Sequence, residues 1–267
     1  VLALMNEYSW LWPAVLCGLI ALVGNVVLGH QVLKRQVIFI DLAVAQVAAL
    51  GAAVSQYWFI NVPWLHESVF GEMLGPWILS LGFCGVIALL EDKIRHLLEP
   101  LIGCLFAVSA SLAVIVVSKD PHGAEFIQRI LNGQLLWATW DDVALIGGVT
   151  VVMLTLIAMK PQLMSGRAFY AVFAILMPVT VKLTGVYLEF ALLVVPTLFT
   201  VMLAPKTALI ASLVIGVVGI LSGIVVSTLW DLPSGAAMVI TLFISGLVFF
   251  PFLQFFFRPQ YRQTSEA

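Results

Sequence analysis

The sequence predicts an all-α, polytopic helical membrane protein of about nine transmembrane helices, and three observations predict it. The chain has 267 residues, yet its 12 Lys and Arg and 14 Asp and Glu make up only 10%, where a globular protein carries about a quarter. Apolar residues reach 62% and the mean hydropathy is +1.12. Charges, prolines and glycines then cut the chain into apolar runs close to the roughly 20 residues that a helix needs to cross a hydrocarbon core. A soluble domain of this size needs a charged skin that this chain lacks, so soluble enzymes are excluded. A net charge of −2 leaves no basic footprint for nucleic acid.

In order, the spans are expected at 10–30, 37–59, 76–91, 98–118, 141–159, 168–184, 186–203, 208–229 and 235–256, all within one transmembrane domain covering 1–267. The first run, from Trp10, is too long for a signal peptide and lacks an A-x-A cleavage site, so it reads as a span. The third is short. The sixth and seventh meet at Thr184-Gly185 with hardly a loop. A tight re-entrant turn there is compatible with a membrane where neighbouring helices satisfy the freed backbone groups.

Orientation follows from the short loops. Alternate loops and the tail hold Lys34, Arg35, Lys93, Arg95, Lys160, Arg167, Lys206, Arg258 and Arg262, against Lys119, Arg129 and Lys182 on the other side. The basic side is expected in the cytoplasm, with the N-terminus outside and the C-terminus inside. The outer side carries Glu7, Glu67, Glu72, Asp120, Glu125, Asp141, Asp142 and Asp231. Such a field concentrates cations or steers a basic partner, although positive-inside sorting alone would also leave acids there.

Ionisable groups inside the hydrocarbon are costly, so each needs a reason. Asp41 lies early in the second span, Gln46 lies near its middle with Gln56 further on, and Glu189 lies early in the seventh. As points along a substrate route, Asp41, Gln46 and Glu189 offer oxygen ligands to a hard or borderline cation. The alternatives are structural: Asp41 pairing with Lys34 or Arg35 or capping a neighbouring helix, and Glu189 pairing with Lys182 across the tight turn. His30, His66 with Glu67, and His122 with Glu125 read as interfacial, structural or docking residues rather than a metal centre.

The three cysteines, Cys17, Cys84 and Cys104, sit in separate apolar runs without metal-ligand spacing, so neither a disulfide framework nor a zinc site is readable. No G-x-x-x-x-G-K-[ST] loop and no H-E-x-x-H helix occur, which leaves ATP hydrolysis and metalloprotease chemistry without their residues. The chain is expected to be no enzyme and to hold no cofactor. A carrier driven by a proton or sodium gradient could use Asp41 and Glu189, but the span pattern contains no inverted repeat.

Four segments carry a resemblance. The first is Leu33-Lys34-Arg35-Gln36-Val37-Ile38-Phe39-Ile40-Asp41-Leu42-Ala43-Val44-Ala45-Gln46 with Gly51, and the second is Pro121-His122-Gly123-Ala124-Glu125 through Leu131-Asn132-Gly133-Gln134-Leu135-Leu136-Trp137. The third is Leu183-Thr184-Gly185-Val186-Tyr187-Leu188 through Leu193-Val194-Val195-Pro196, and the fourth is Trp230-Asp231-Leu232-Pro233-Ser234-Gly235. In order and spacing they resemble the permease subunits of the zinc/manganese/iron metal-uptake ABC transporters over nearly the whole chain. Two departures mark a divergent member. The family's second-span histidine falls on Gln46 and its acid on Leu42, with Asp41 displaced by one residue, about 100° around a helix. The cytoplasmic segment between the fifth and sixth spans, 159–167, is also shorter than in the family.

The resemblance implies the transmembrane subunit of an ABC importer in the bacterial plasma (inner) membrane. It would move a divalent cation, zinc first and manganese or iron next, or alternatively a metal chelate or siderophore. It further implies a second copy of the chain, cytoplasmic ATPase subunits that hydrolyse the ATP, and an extracytoplasmic metal-binding protein on the acidic face. Pro161, Gly166 and Arg167 would sit at the ATPase contact. Gly51, Pro178, Pro196 and Gly223 would serve as close contacts or kinks, in moving joints or in ordinary packing.

Overall fold

The structure, a computed structural model, describes residues 9–58, 69–91, 93–164 and 166–257. His66, Glu67, Glu7, Arg258 and Arg262 lie outside them. Among the described residues nine α-helices follow in order: α1 (Trp12–Arg35), α2 (Ile40–Trp58), α3 (Val69–Leu90), α4 (Leu98–Val117), α5 (Gly123–Asn132), α6 (Trp140–Met159), α7 (Ala168–Thr200), α8 (Pro205–Trp230) and α9 (Ser234–Phe257). No strand occurs among the described residues. Seven of these helices, α1, α3, α4, α6, α7, α8 and α9, are long and apolar enough to cross a membrane, and α2 adds a shorter apolar stretch, Ile40–Gln56. The all-α, polytopic membrane architecture expected from the sequence is therefore what the chain adopts.

The helix ends follow local chemistry. Gln36 ends α1 in the left-handed region (φ 59°), with its own N–H bonded to Leu33 O and that of Val37 to Val32 O, the paired bonds of a Schellman cap. Asp231 ends α8 the same way (φ 51°), Leu232 N–H returning to Ser227 O, after which Pro233 precedes α9. Thr139 and Asp142 form a reciprocal capping box at the start of α6. Several boundaries differ from expectation: α1 runs on to Arg35 rather than 30, and α8 begins at Pro205 rather than 208. α2 begins at Ile40 rather than 37, because the Schellman turn occupies the residues before it. α3 begins at Val69, with Pro76 inside it rather than at its start. The apolar residues before Pro76 continue the helix, and a proline's missing N–H is tolerated where neighbours accommodate it.

The expected sixth and seventh spans are joined in α7, which is broken at Gly185 (φ 75°, ψ 165°). Thr180 and Glu189 hydrogen-bond across this point, although nine residues of continuous helix would set them about 13 Å apart along the axis. The chain therefore reverses there. The two arms, 168–184 and 186–200, both lie along α1. A Cβ on Gly24 would touch Leu176 of the first arm, and one on Gly29 would strike Leu193 O of the second.

α7 is the centre of the protein. It packs against α1, α2, α3, α5, α6, α8 and α9, and 72% of its most apolar window is buried against 17% for α6. Phe169, Tyr170, Phe173 and Met177 of the first arm share one apolar cluster with Leu193 and Val194 of the second, Leu28 and Val32 of α1, and Ile40 and Val44 of α2. Small residues let backbones approach elsewhere. α2 meets α3 at Gly51 and Gly75, and α8 meets α9 at Gly223 opposite Met238. Gly51 and Gly223 thus act as close contacts.

Candidate translocation site

Polar groups converge below the reversal in α7. Asn25 of α1 donates Nδ2–H to Glu189 Oε1 at 2.9 Å. The hydroxyls of Thr180 and Thr184 donate to Oε1 at 2.5 Å and Oε2 at 2.7 Å. All four residues are fully buried. The first arm supplies both threonines, four apart and so on one helical face, and the turn brings Glu189 back to meet them. The expected Lys182–Glu189 pair does not form. Lys182 points away to Glu72 at 2.9 Å and Asp142 at 3.7 Å, because neighbouring positions on an α-helix face different directions.

Asp41 lies within electrostatic range of this group. It is fully buried, and neither carboxyl oxygen has a hydrogen-bond partner among the described residues. Pairing with Arg35 is excluded, since that guanidinium binds Glu91. The carboxyls of Asp41 and Glu189 lie within electrostatic range of one another, and Asn25 Oδ1 is also buried without a partner. Buried polar atoms are nearly always satisfied, so these unpartnered oxygens stand out in the interior. Among the described residues no three His, Cys, Asp or Glu side chains group as a metal centre.

The same face of α2 leads from Asp41 to a cavity. Positions 41, 45, 48, 52 and 56 recur at helical spacing. Ala45 packs with Val181 and Val186, which flank the turn. Ala48, Ala49, Ala52 and Gln56 line a cavity of about 410 Å³, bordered also by Pro178, Lys182 and Arg129. Small side chains along this stripe leave the space. Gln46 is buried, one position around the helix from Ala45.

A knot of glycines lies over the turn. Cβ atoms on Gly133 and Gly185 would each come within 2.2 Å of the other segment's backbone, and one on Gly235 within 2.0 Å of Asn132 O. Gln134 N–H donates to Leu183 O at 2.7 Å. Three of the four segments that carry the resemblance thus meet at one point, far apart as they are in sequence.

At the opposite end, Pro161 begins a short 3-10 turn, and Pro161, Gly166 and Arg167 are exposed. His30 bonds Val26 O within its own helix, and His122 pairs with Glu125 at 3.7 Å on exposed α5. Both fit the structural reading. Asn25, Thr180 and Thr184 were not singled out from sequence. An amide within an otherwise apolar first span, and hydroxyls four apart in the sixth, are the signals that mark them.

The chain matches the model of the ABC 3 transport family over residues 7–165 and 158–255. It is 23% identical to the manganese transport system membrane protein MntC of Listeria monocytogenes, over 96% of this chain and 93% of that protein. It is 22% identical to the high-affinity zinc uptake system membrane protein ZnuB of Haemophilus influenzae, over 87% and 94% respectively. Among solved structures, PsaBC from Streptococcus pneumoniae in complex with Fab has the same fold, with a TM-score of 0.73 and 16% identity over 98% of this chain and 96% of that one. Sequence and fold agree along nearly the full length, and the chain belongs to the ABC 3 transport family of multi-pass membrane permeases.

Proposed function

We propose that this chain is the permease subunit of an ABC importer that carries a divalent metal cation into the cytoplasm across the bacterial plasma membrane, zinc first and manganese or iron next. What supports this reading most is Asp41: a buried carboxyl with both oxygens unpartnered, within electrostatic range of Glu189 and on the face of α2 that runs on to the cavity. The names of the relatives, one a manganese and one a zinc system, agree with that cargo. In this reading nine spans run with the N-terminus outside and the C-terminus inside, and two copies of the chain form the pathway.

A soluble metal-binding protein delivers the ion at the acidic end. Asp41, Gln46 and Glu189 take it over, their oxygens replacing part of its hydration shell as it passes. Two ATPase subunits dock near Pro161, Gly166 and Arg167, and ATP hydrolysis on them drives the change. The coupling is a difference in their affinity for outward- and inward-open states. The chain itself performs no covalent step.

A second reading has one observation in its favour. The cavity of about 410 Å³ is wider than a bare ion needs, which suits a metal chelate better than a bare cation. One experiment separates the readings. Tagged protein is drawn from native membranes in mild detergent, its partners are identified by mass spectrometry, and uptake of free zinc, free manganese and their citrate complexes is compared. An ATPase in equal amount with uptake of free ions supports the first reading. Uptake of the complexes alone supports the second. Transport in liposomes without any ATPase would replace both with a gradient-driven carrier.

A further inference from the structure

One guanidinium joins three parts of the basic end of the protein. Arg35, the last residue of α1, bonds Glu91 Oε1, just past the end of α3, through Nη1 at 2.9 Å. Its Nη2 donates to two backbone carbonyls of the 160–167 segment, Met164 O at 3.1 Å and Gly166 O at 2.9 Å. The group also lies over the rings of Phe169 and Tyr170 at the start of α7, 4.7 and 5.5 Å from their centroids. Its side chain is only 14% exposed. Arginine's planar fork holds several acceptors at fixed angles, which an ammonium on a flexible stem does not. Charge-assisted bonds of this kind are also among the stronger ones in a protein.

From Arg35 the chain passes through the left-handed Gln36 and reaches Ile40, where α2 begins. Asp41 is the next residue. Phe39 N–H is held by Glu99 Oε1 at 3.0 Å, so this turn is fixed to α4 as well. Arg35 thus links the 160–167 segment to the turn that leads to Asp41.

We propose that Arg35 is a positioning residue that couples the 160–167 segment to the α1–α2 turn and so to Asp41, making transport depend on what binds that segment. This rests on the permease reading given above. Arg35 touches no cargo in this scheme and acts through the segments it joins.

The test uses the full permease with the ATPase it co-purifies with, reconstituted in liposomes, and reads zinc or manganese uptake per ATP hydrolysed alongside the melting temperature of the complex. R35K keeps a charge for Glu91 but loses the two-carbonyl fork. It is expected to retain the ATPase with only a modestly lower melting temperature, while uptake per ATP falls about five- to tenfold at temperatures well below melting. E91Q keeps both carbonyl bonds and is expected to stay within about twofold of wild type. Should R35K fail to accumulate, R35Q/E91Q removes both charges without orphaning either, and the same fall is expected. Unchanged uptake per ATP in whichever variant folds overturns the proposal, as does a loss of uptake that only follows a lower melting temperature. Wild-type protein that recovers no ATPase overturns the permease reading itself, and this inference falls with it.

Discussion

Asn25 and Glu189, separated by 164 positions in sequence, are joined by a 2.9 Å hydrogen bond in the interior. The bond ties α1 to the second arm of α7 at the level where the chain reverses. Glu189 receives two further hydroxyl donors from the first arm, so one carboxyl holds three segments together. The asymmetry of buried hydrogen bonding gives this weight. A satisfied bond contributes modestly, whereas an orphaned partner carries its full desolvation cost.

Asn25→Ala removes a donor from that carboxyl and opens a small cavity. Destabilisation of about 1–3 kcal/mol is expected, read as a lower melting temperature in detergent. A variant that melts with the wild type would show that Asn25 contributes nothing to holding the arms.

Gly185→Ala introduces a side chain where φ is 75° and where a Cβ would come within 2.2 Å of Gly133 N. Strain of this kind costs about 1–3 kcal/mol before the clash is counted, and neither backbone can yield alone. Loss of stability or of accumulation is expected. Gly82→Ala is the control, because a Cβ there meets nothing within 4 Å and alanine favours the helix by up to about 1 kcal/mol. Equal stability of the two variants would refute the close approach.

Asp41 sets stability against function. Asp41→Asn keeps the shape of a buried carboxyl that has no partner and removes its capacity to carry a charge, so its melting temperature should equal or exceed that of the wild type. Uptake should nonetheless be abolished in Asp41→Asn and Asp41→Ala, with expression and ATPase binding intact. Metal uptake at the wild-type rate would remove Asp41 from the pathway.

Glu189→Gln should show a weaker uptake defect than Asp41→Ala, because its amide oxygen can still accept the two hydrogen bonds made to Oε1 by Asn25 and Thr180. Normal cation uptake in this variant would count against any role for its charge and leave Glu189 as a structural tie.

Lys182 bridges Glu72 and Asp142 at the partly exposed end, with its side chain 29% and that of Glu72 46% exposed. Exposed pairs contribute little, so Lys182→Met should cost under about 1 kcal/mol. A larger drop in melting temperature at low salt would show that the three charges act as a network.

Much of the architecture was readable because the bilayer constrains it. Apolar run lengths located the helices, and Thr184-Gly185 announced the reversal, since only a residue free to adopt positive φ turns so sharply. The candidate site was legible only in part. Asp41 and Glu189 stood out as acids in apolar surroundings, but their partners are ordinary polar residues whose relevance depends on what faces them. Lys182 looked like a partner for Glu189 on sequence distance alone, and the turn of the helix sends it elsewhere. Arg35 read as one more loop cation, although it joins three elements.

The sequence by itself determined that this protein crosses a membrane, through which runs, and by its motifs to which family it belongs. Those properties are local or additive: the free energy of placing a segment in lipid depends mainly on its own composition, and motif spacing is linear. Only the tertiary structure decided that Asn25, Thr180 and Thr184 close on Glu189, that Asp41 is left without a partner, and that Gly133, Gly185 and Gly235 meet over the turn. These depend on how helices rotate and reverse against one another, which side-chain packing fixes and no single segment contains.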